Sequence, residues 1–288
     1  MTRTSVSIIT PSYNQSEFIG ETIESVLAQN YSHVEHFVAD GGSTDGTLEI
    51  LENYDNKIEW ISEDDRGQAD AINKGFNRVS GDIIGWLNSD DVYFDVNVLD
   101  RVVDYFENTG ADVIYGDMAL INSDSKIMKF SVLPDFDYEH LLRSCFIVQP
   151  SLFFKRNVVE ENKLDINLEF VMDYEYWLRL ADKYDFYHVS DVLSADRNHG
   201  GRKILDQRDN MKEEGRSMRR DQYGIEFDPM FKMRRFGDLL FSGVQRSMIG
   251  AKRAYEYHND PPKLAFPGEF KPLLQLIINS FRPNRKLV

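Results

Sequence analysis

Two adjacent carboxylates, Asp90 and Asp91, close the run Trp86-Leu87-Asn88-Ser89-Asp90-Asp91, directly after residues that belong in a core. Side by side, two such groups disfavour each other's charge and call for water or a cation. Hard divalent cations such as Mg2+ and Mn2+ take oxygen ligands, and one or two carboxylates plus substrate phosphates suffice to hold them. A metal in that position offsets the charge that builds on a departing diphosphate. If the pair leaves a strand, its side chains diverge, which predicts Asp90 toward the nucleotide and Asp91 toward the cation. An exposed acidic turn is the plain alternative.

A third carboxylate, Asp173, opens a segment whose Tyr174, Trp177, Leu178 and Ala181 mark one apolar helical face. The helix dipole keeps an acid there ionised. Within reach of an acceptor hydroxyl it can take that proton as the oxygen attacks. A simple helix N-cap is the competing reading, and Glu175 is the fallback carboxylate. The stretch Arg197-Asn198-His199-Gly200-Gly201-Arg202-Lys203 sets an imidazole among cations and glycines. Arg202 and Lys203 can pair with phosphate oxygens, or form a solvated basic turn.

The elements that must position these groups alternate between two periodicities. Strand-like runs at 5–9, 36–40, 58–61, 82–87 and 111–117 are separated by helical patterns at 17–29, from Leu48, at 68–78 and at 95–108. This predicts βαβ units, hence an α/β, Rossmann-like fold with a mainly parallel central sheet flanked by helices. Ligands of such sheets lie outside the carboxyl ends of the strands. Those ends carry Thr10–Asn14, Asp40–Asp45, Glu63–Gly67 and Asn88–Asp91, where polar, acidic and glycine residues gather. There Asp40 and Asp65 can hydrogen-bond a base or ribose, and Tyr13 can stack on a ring. Backbone N–H groups around Gly41 and Gly42 can complete the pocket, or simply turn the chain. Asp70 and Lys74, four residues apart, either pair with each other or reach a ligand. Further on, 151–154 and 186–190 read as strands and 173–184 as a helix. Beyond about 204 the pattern is helical, broken at Asp228–Pro229 and at 259–263.

The 288 residues include 42% hydrophobic and 12% aromatic side chains, enough for a substantial core. A net charge of −15 argues against a nucleic-acid partner. The charge is uneven: residues 1–201 carry 15 Lys and Arg against 37 Asp and Glu, and residues 202–288 carry 18 against 11. The single cysteine, Cys145, excludes an internal disulfide and favours a reducing compartment. The apolar run near the N-terminus is too short for a signal peptide, and no stretch reaches a membrane-spanning length. A cytoplasmic protein is expected. The segment 270–281, followed by Arg282, Arg285 and Lys286, suits either an anionic membrane surface or packing on the body or a second subunit.

The motifs in series resemble glycosyltransferase family 2, inverting nucleotide-sugar enzymes of the GT-A fold. They are TPSYN (10–14), DGGSTDGT (40–47), EDDRGQADAINKG (63–75), SGD (80–82), WLNSDD (86–91), QPSLFF (149–154) and MDYEYWLRL (172–180), in the family's order. The resemblance implies a catalytic GT-A domain over 1–203, with a nucleotide-sugar part to about 117 and an acceptor part from 118, and a helical, basic extension over 204–288. It implies a donor site of Pro11, Tyr13, Asp40, Asp65, Asp70, Lys74, Asp90 and Arg202. Asp91 and His199 would hold Mn2+ or Mg2+, and Asp173 would be the base. The partners implied are a nucleotide-diphosphate-sugar, UDP-linked in many relatives, and a glycan or lipid-linked acceptor. Three departures stand out. Gly41 replaces the second aspartate that usually contacts uracil, Met172 replaces a glutamate, and the Q-x-x-R-W signature of processive synthases is absent. A single-sugar transfer follows. A nucleotidyltransferase and a non-catalytic nucleotide- or glycan-binding relative remain the alternatives.

Overall fold

A computed structural model describes residues 3–202, 207–225 and 236–281, with 236–242 traced by backbone alone. Lys203, the Asp228–Pro229 break and the basic Arg282, Arg285 and Lys286 lie outside the described residues.

The first half alternates as expected: β1 (Val6–Ser12), α1 (Ile19–Leu27), β2 (Val34–Asp40), α2 (Thr47–Glu52), β3 (Glu59–Ser62), α3 (Gln68–Arg78) and β4 (Ile83–Trp86). β3, β2, β1 and β4 lie side by side in that order, all parallel. All seven residues of β1 are buried because helices cover both faces of the sheet. α3 sits so close to β1 that a Cβ at Gly75 would overlap Ile9.

Beyond β4 the sheet becomes mixed. After the two-residue β5 (Val92–Tyr93) and α4 (Val98–Thr109) come β6 (Val113–Asn122), β7 (Lys126–Ser131), the short α5 (Tyr138–Leu141), β8 (Leu152–Lys155), α6 (Arg156–Glu161), α7 (Met172–Ala181) and β9 (Phe186–Asn198). β8 runs antiparallel between β4 and β6. β6 pairs in parallel with β9 from Val113↔Phe186 to Asn122↔Asn198. The expected strand at 186–190 therefore runs on to Asn198, which delivers His199 to the ligand end of the sheet. The expected fold class holds: a mostly parallel sheet flanked by helices.

The C-terminal third contributes α8 (Arg208–Tyr223), α9 (Phe236–Asn259), β10 (Glu269–Phe270) and α10 (Leu273–Ser280). β10 adds to the edge of β7 in parallel. Arg253 of α9 reaches into the sheet, where its Nη1 donates to Asp117 Oδ2 at 2.6 Å. Asp117 is fully buried, and its Oδ1 also accepts from Leu133 N at 2.8 Å and pairs with His188 Nε2 at 3.0 Å. A carboxylate with that many partners can remain charged in a core; losing one partner is costly.

Candidate active site

Three loops at the carboxyl ends of β1, β2 and β3 are laced together by hydrogen bonds. Asn14 takes a positive φ of 52° after β1. There its N–H donates to Ser43 Oγ at 2.7 Å, and its Oδ1 accepts from Thr44 N at 2.9 Å. Tyr13, one residue earlier, is 62% exposed, so a face of its ring is open to a planar partner, while Pro11 is buried within β1.

Asp40 is 2% exposed. Its Oδ2 accepts from Gly42 N (3.1 Å), Ser43 N (2.9 Å) and Ser62 Oγ (2.7 Å), and its Oδ1 from Ser43 Oγ (2.5 Å). Four bonds nearly fill a carboxylate's capacity. Asp40 thus organises the 41–43 turn, and a ligand touching it must displace or share one of these bonds.

Asp65 lies directly against that turn. Its Oδ1 accepts from Gly67 N at 2.8 Å, and its Oδ2 would stand 2.5 Å from a Cβ placed on Gly41. Its carboxylate fills the space that a side chain at 41 would enter. Gly41→Ala must therefore push Asp65 aside. Because the clash is with the end of a flexible side chain, the melting temperature is expected to stay within a few degrees. Nucleoside diphosphate affinity is expected to fall about tenfold by calorimetry, the worth of roughly one charge-assisted hydrogen bond. Wild-type affinity would show that Asp65 does not touch the ligand.

Asp70 and Lys74 do not pair directly. Asp70 accepts from Arg66 N at 3.1 Å and faces the Arg66 guanidinium at 3.5 Å. Partial burial would raise its carboxyl pKa, but the Arg66 contacts outweigh that and lower it. Lys74 Nζ pairs with Glu63 at 2.9 Å and donates to Asp64 O at 3.1 Å. Both side chains brace the loop that carries Asp65.

The acidic pair sits in a turn rather than on a strand, since Asp91 N donates to Asn88 O at 3.1 Å. Strand alternation is thus not what separates the two side chains; their partners do. Asp90 Oδ2 pairs with His199 Nε2 at 3.0 Å. Asp91 is 2% exposed and its Oδ1 accepts from Arg197 N at 2.8 Å. Thr22 Oγ1 anchors the turn from α1 through Ser89 O and Asp91 O at 2.9 and 2.8 Å. Arg202 pairs with buried Asp196 at 3.3 Å, and its buried Nη1 has no hydrogen-bond partner among the described residues. Beside His199 a cavity of about 510 Å3 opens, lined by Asn14, Ser16, Asp45, Ser123, Gly200 and Gly201 among others.

Asp173 lies in the first turn of α7, where its Oδ1 accepts from Tyr174 N at 2.7 Å. It is not the N-cap, which is Val171. The N–H groups leading into the helix are taken by Glu214 of α8: Oε2 accepts from Phe170 and Val171 at 2.7 and 3.0 Å, and Oε1 from Glu169 at 2.9 Å. Glu175 is bound in a fork by Arg179 at 2.8 and 3.0 Å and is 4% exposed. One turn beyond Asp173, Trp177 packs on Trp86 with ring centroids 6.1 Å apart. Gln149 Nε2 donates to the Trp86 carbonyl. A tryptophan pair thus ties the helix bearing Asp173 to the strand that leads into Asp90.

Carboxylate oxygens are the donors that Mn2+ and Mg2+ prefer, so Asp91 and Asp90 fit such an ion chemically, whereas His199 is the softer donor and would have to release Asp90 or the Gly201 N–H to join them. No group of three or more His, Cys, Asp or Glu side chains among the described residues is arranged to hold a metal unaided. Diphosphate oxygens would have to complete the shell, as is usual for Mg2+.

Fold and site together define a class, the GT-A transferases. TarS of S. aureus (residues 1–349, with UDP-GlcNAc) superposes with a TM-score of 0.61 at 19% identity, covering 74% of this chain and 65% of that one. The mannosyltransferase PcManGT of Pyrobaculum calidifontis, solved with GDP-Man and Mn2+, gives a TM-score of 0.61 at 18% identity, covering 80% and 67%. The sequence matches the description "Glycosyl transferase family 2" over residues 7–164, so the chain belongs to that family. Among curated relatives, an uncharacterised glycosyltransferase of Rickettsia typhi is 29% identical over 67% of this chain and 64% of its own length. The Escherichia coli protein WfgD, a UDP-Glc:alpha-D-GlcNAc-diphosphoundecaprenol beta-1,3-glucosyltransferase, is 32% identical over 61% of this chain and 69% of its own. The match thus spans just under two thirds of the rickettsial protein.

Glu21 and Glu214 shape this site without announcing themselves in the sequence. Arg197 stood among basic neighbours, but its partner Glu21 lies 176 residues away, and no local pattern links them.

Proposed function

We propose that this protein is an inverting, divalent-metal-dependent glycosyltransferase. It moves a single sugar from a nucleotide-diphosphate-sugar to a hydroxyl of a glycan or lipid-linked acceptor during polysaccharide assembly. One observation carries this reading. An acidic turn paired to an imidazole, at the ligand end of the sheet, is tied through Trp86–Trp177 to a helix start whose aspartate is not its cap.

In this reading the base lies on Tyr13 and its ring N–H donates to Asp65. Both uracil and guanine offer such a donor, and the two structural neighbours were solved with UDP-GlcNAc and GDP-Man. Asp90 holds the ribose, and Arg202 pairs with diphosphate oxygens. Asp91 and His199 would hold Mn2+ or Mg2+, which supplies Lewis-acid compensation for the leaving diphosphate. Asp173 accepts the acceptor's hydroxyl proton while that oxygen bonds to C1 and the C1–O bond to the diphosphate breaks. Attack from the face opposite the leaving group inverts the anomeric centre. Residues 1–203 perform these steps.

The test is a panel of UDP- and GDP-sugars with Mn2+. A matching donor at 100 times its Kd stabilises the fold by about 2.7 kcal/mol, and acceptor-dependent turnover releases a nucleoside diphosphate. Pyrophosphate release from a nucleoside triphosphate would instead identify a nucleotidyltransferase. Binding without any turnover would identify a non-catalytic relative.

The lipid-linked acceptor in WfgD's name suggests a similar acceptor class here, and with it contact with a membrane surface from the cytoplasmic side. No described helix is long and apolar enough to cross a membrane. Among the described residues, seven of nine exposed large apolar side chains lie on α9, α10 and its C-cap: Val244, Met248, Ile249, Tyr255, Leu274, Ile278 and Phe281. Leu276 of α10 is fully buried, so deleting the segment would open the core. The variant Leu274→Glu/Ile278→Glu leaves the core alone. It is expected to lose most of the wild-type co-sedimentation with anionic vesicles; unchanged pelleting refutes the membrane contact, and a loss of dimer by light scattering would assign the face to a second subunit.

A further inference from the structure

Arg197 is fully buried, so it cannot touch a substrate, yet it reaches both residues of the acidic turn. Its Nε donates to the Asp90 carbonyl at 2.8 Å, and its backbone N–H to Asp91 Oδ1 at 2.8 Å. On the other side Nη2 donates to Glu21 Oε2 at 2.8 Å, and Nη1 to Ser125 Oγ at 2.8 Å. Ser125 Oγ in turn donates to the same Glu21 oxygen at 2.6 Å, which closes a ring of three side chains. The guanidinium lies 4.8 Å from the centre of the Phe18 ring, and that ring is 4.6 Å from the ring of His199.

We infer that Glu21, Ser125 and Arg197 form a strut that fixes the Asp90–Asp91 turn and so positions Asp91 and His199 for the diphosphate end of the donor. The strut has one foot on α1 and one on the β6–β7 turn. Two considerations besides the hydrogen bonds favour this over a merely stabilising ion pair. Ser125 takes its φ of 60° as the last residue of the three-residue β6–β7 hairpin loop, so the turn itself fixes where its hydroxyl stands. A buried ion pair is also often no more stable than apolar residues of the same volume, so its value lies in the geometry it imposes. Only a planar, five-donor guanidinium satisfies these partners together. Glu21 and Arg197 are therefore positioning residues. The inference rests on the roles proposed above for Asp91 and His199.

Glu21→Gln tests it, because Glu21 is 31% exposed and the change keeps its shape. Three measurements are made: thermal melting, hydrogen exchange at the Arg197 amide, and calorimetric affinity for UDP and for GDP with and without Mn2+. The variant is expected to melt within a few degrees of wild type. Its Arg197 amide should exchange at least tenfold faster, and its affinity for nucleotide with Mn2+ should fall tenfold or more, with metal-free affinity unchanged. Arg197→Lys should share both defects, since one ammonium cannot reach all the partners. Wild-type exchange and affinity in folded Glu21→Gln would overturn the strut, as would an equal loss with and without Mn2+. If wild-type protein bound neither nucleotide with Mn2+, the proposed function would fail instead, and the exchange measurement would still judge the strut.

Discussion

Asp173→Asn is expected to reduce sugar transfer by about 10²–10⁴-fold, the range for loss of a positioned general base, while donor affinity stays at the wild-type value. Glu214 takes the N–H groups leading into α7, Val171 is the N-cap, and Arg179 occupies Glu175. Helix stability therefore depends little on the charge at 173. Asparagine still offers Oδ1 to Tyr174 N, so the bond at 2.7 Å survives, but an amide oxygen is too weak a base to accept the acceptor's proton. Single-turnover kinetics with a donor found by the panel, together with calorimetry of that donor, separates the two effects. Undiminished turnover would remove Asp173 as the base. Equal losses in turnover and donor affinity would make it a binding residue.

Asp91→Asn should produce the complementary result. The amide keeps an oxygen for Arg197 N and so preserves the turn, but it withdraws the charge that a cation needs. Mn2+-dependent affinity for UDP or GDP is expected to drop at least 10–100-fold, the loss typical even of outer-shell changes at metal sites. Nucleotide affinity in EDTA should hardly change. Alanine would be the poorer test, since Asp91 is 2% exposed and its removal leaves a buried N–H without a partner. Metal-dependent affinity equal to wild type would sink the assignment of Asp91 as ligand.

The contrast between these variants shows where sequence was a good guide. The four parallel strands and the extent of α3 follow from apolar periodicity, because a two-sided core leaves each strand little freedom. The clustering of acids and glycines at strand ends is equally legible, because topology alone sends those ends to one edge. What periodicity could not reveal depends on distant partners. The last eight residues of β9 mix polar and apolar residues because Ser194, Asp196 and Arg197 are buried in polar company, and β7 likewise buries Lys129 and Ser131. The Asp90–Asp91 turn does follow a strand, β4, but Asn88 rather than strand alternation sets the course of its side chains. Glu214 and Glu21 read as ordinary surface acids until the fold brings them to Val171 and Arg197. Gly41 resembled a missing ligand, yet the space it leaves is occupied by Asp65 from the neighbouring loop.

The bond between Asp117 and Arg253 also bears on biosynthesis. A chain emerging from the ribosome has completed β6 long before α9 exists, since the two bonded residues are 136 positions apart. During that interval Asp117 can bond the Leu133 N–H and later His188, but not Arg253. Until α9 docks, that buried acid lacks its arginine partner, so final consolidation of the sheet waits for the last third of the polypeptide. Contacts this far apart slow folding as well, which marks the interval before α9 docks as the stage when chaperones would matter most.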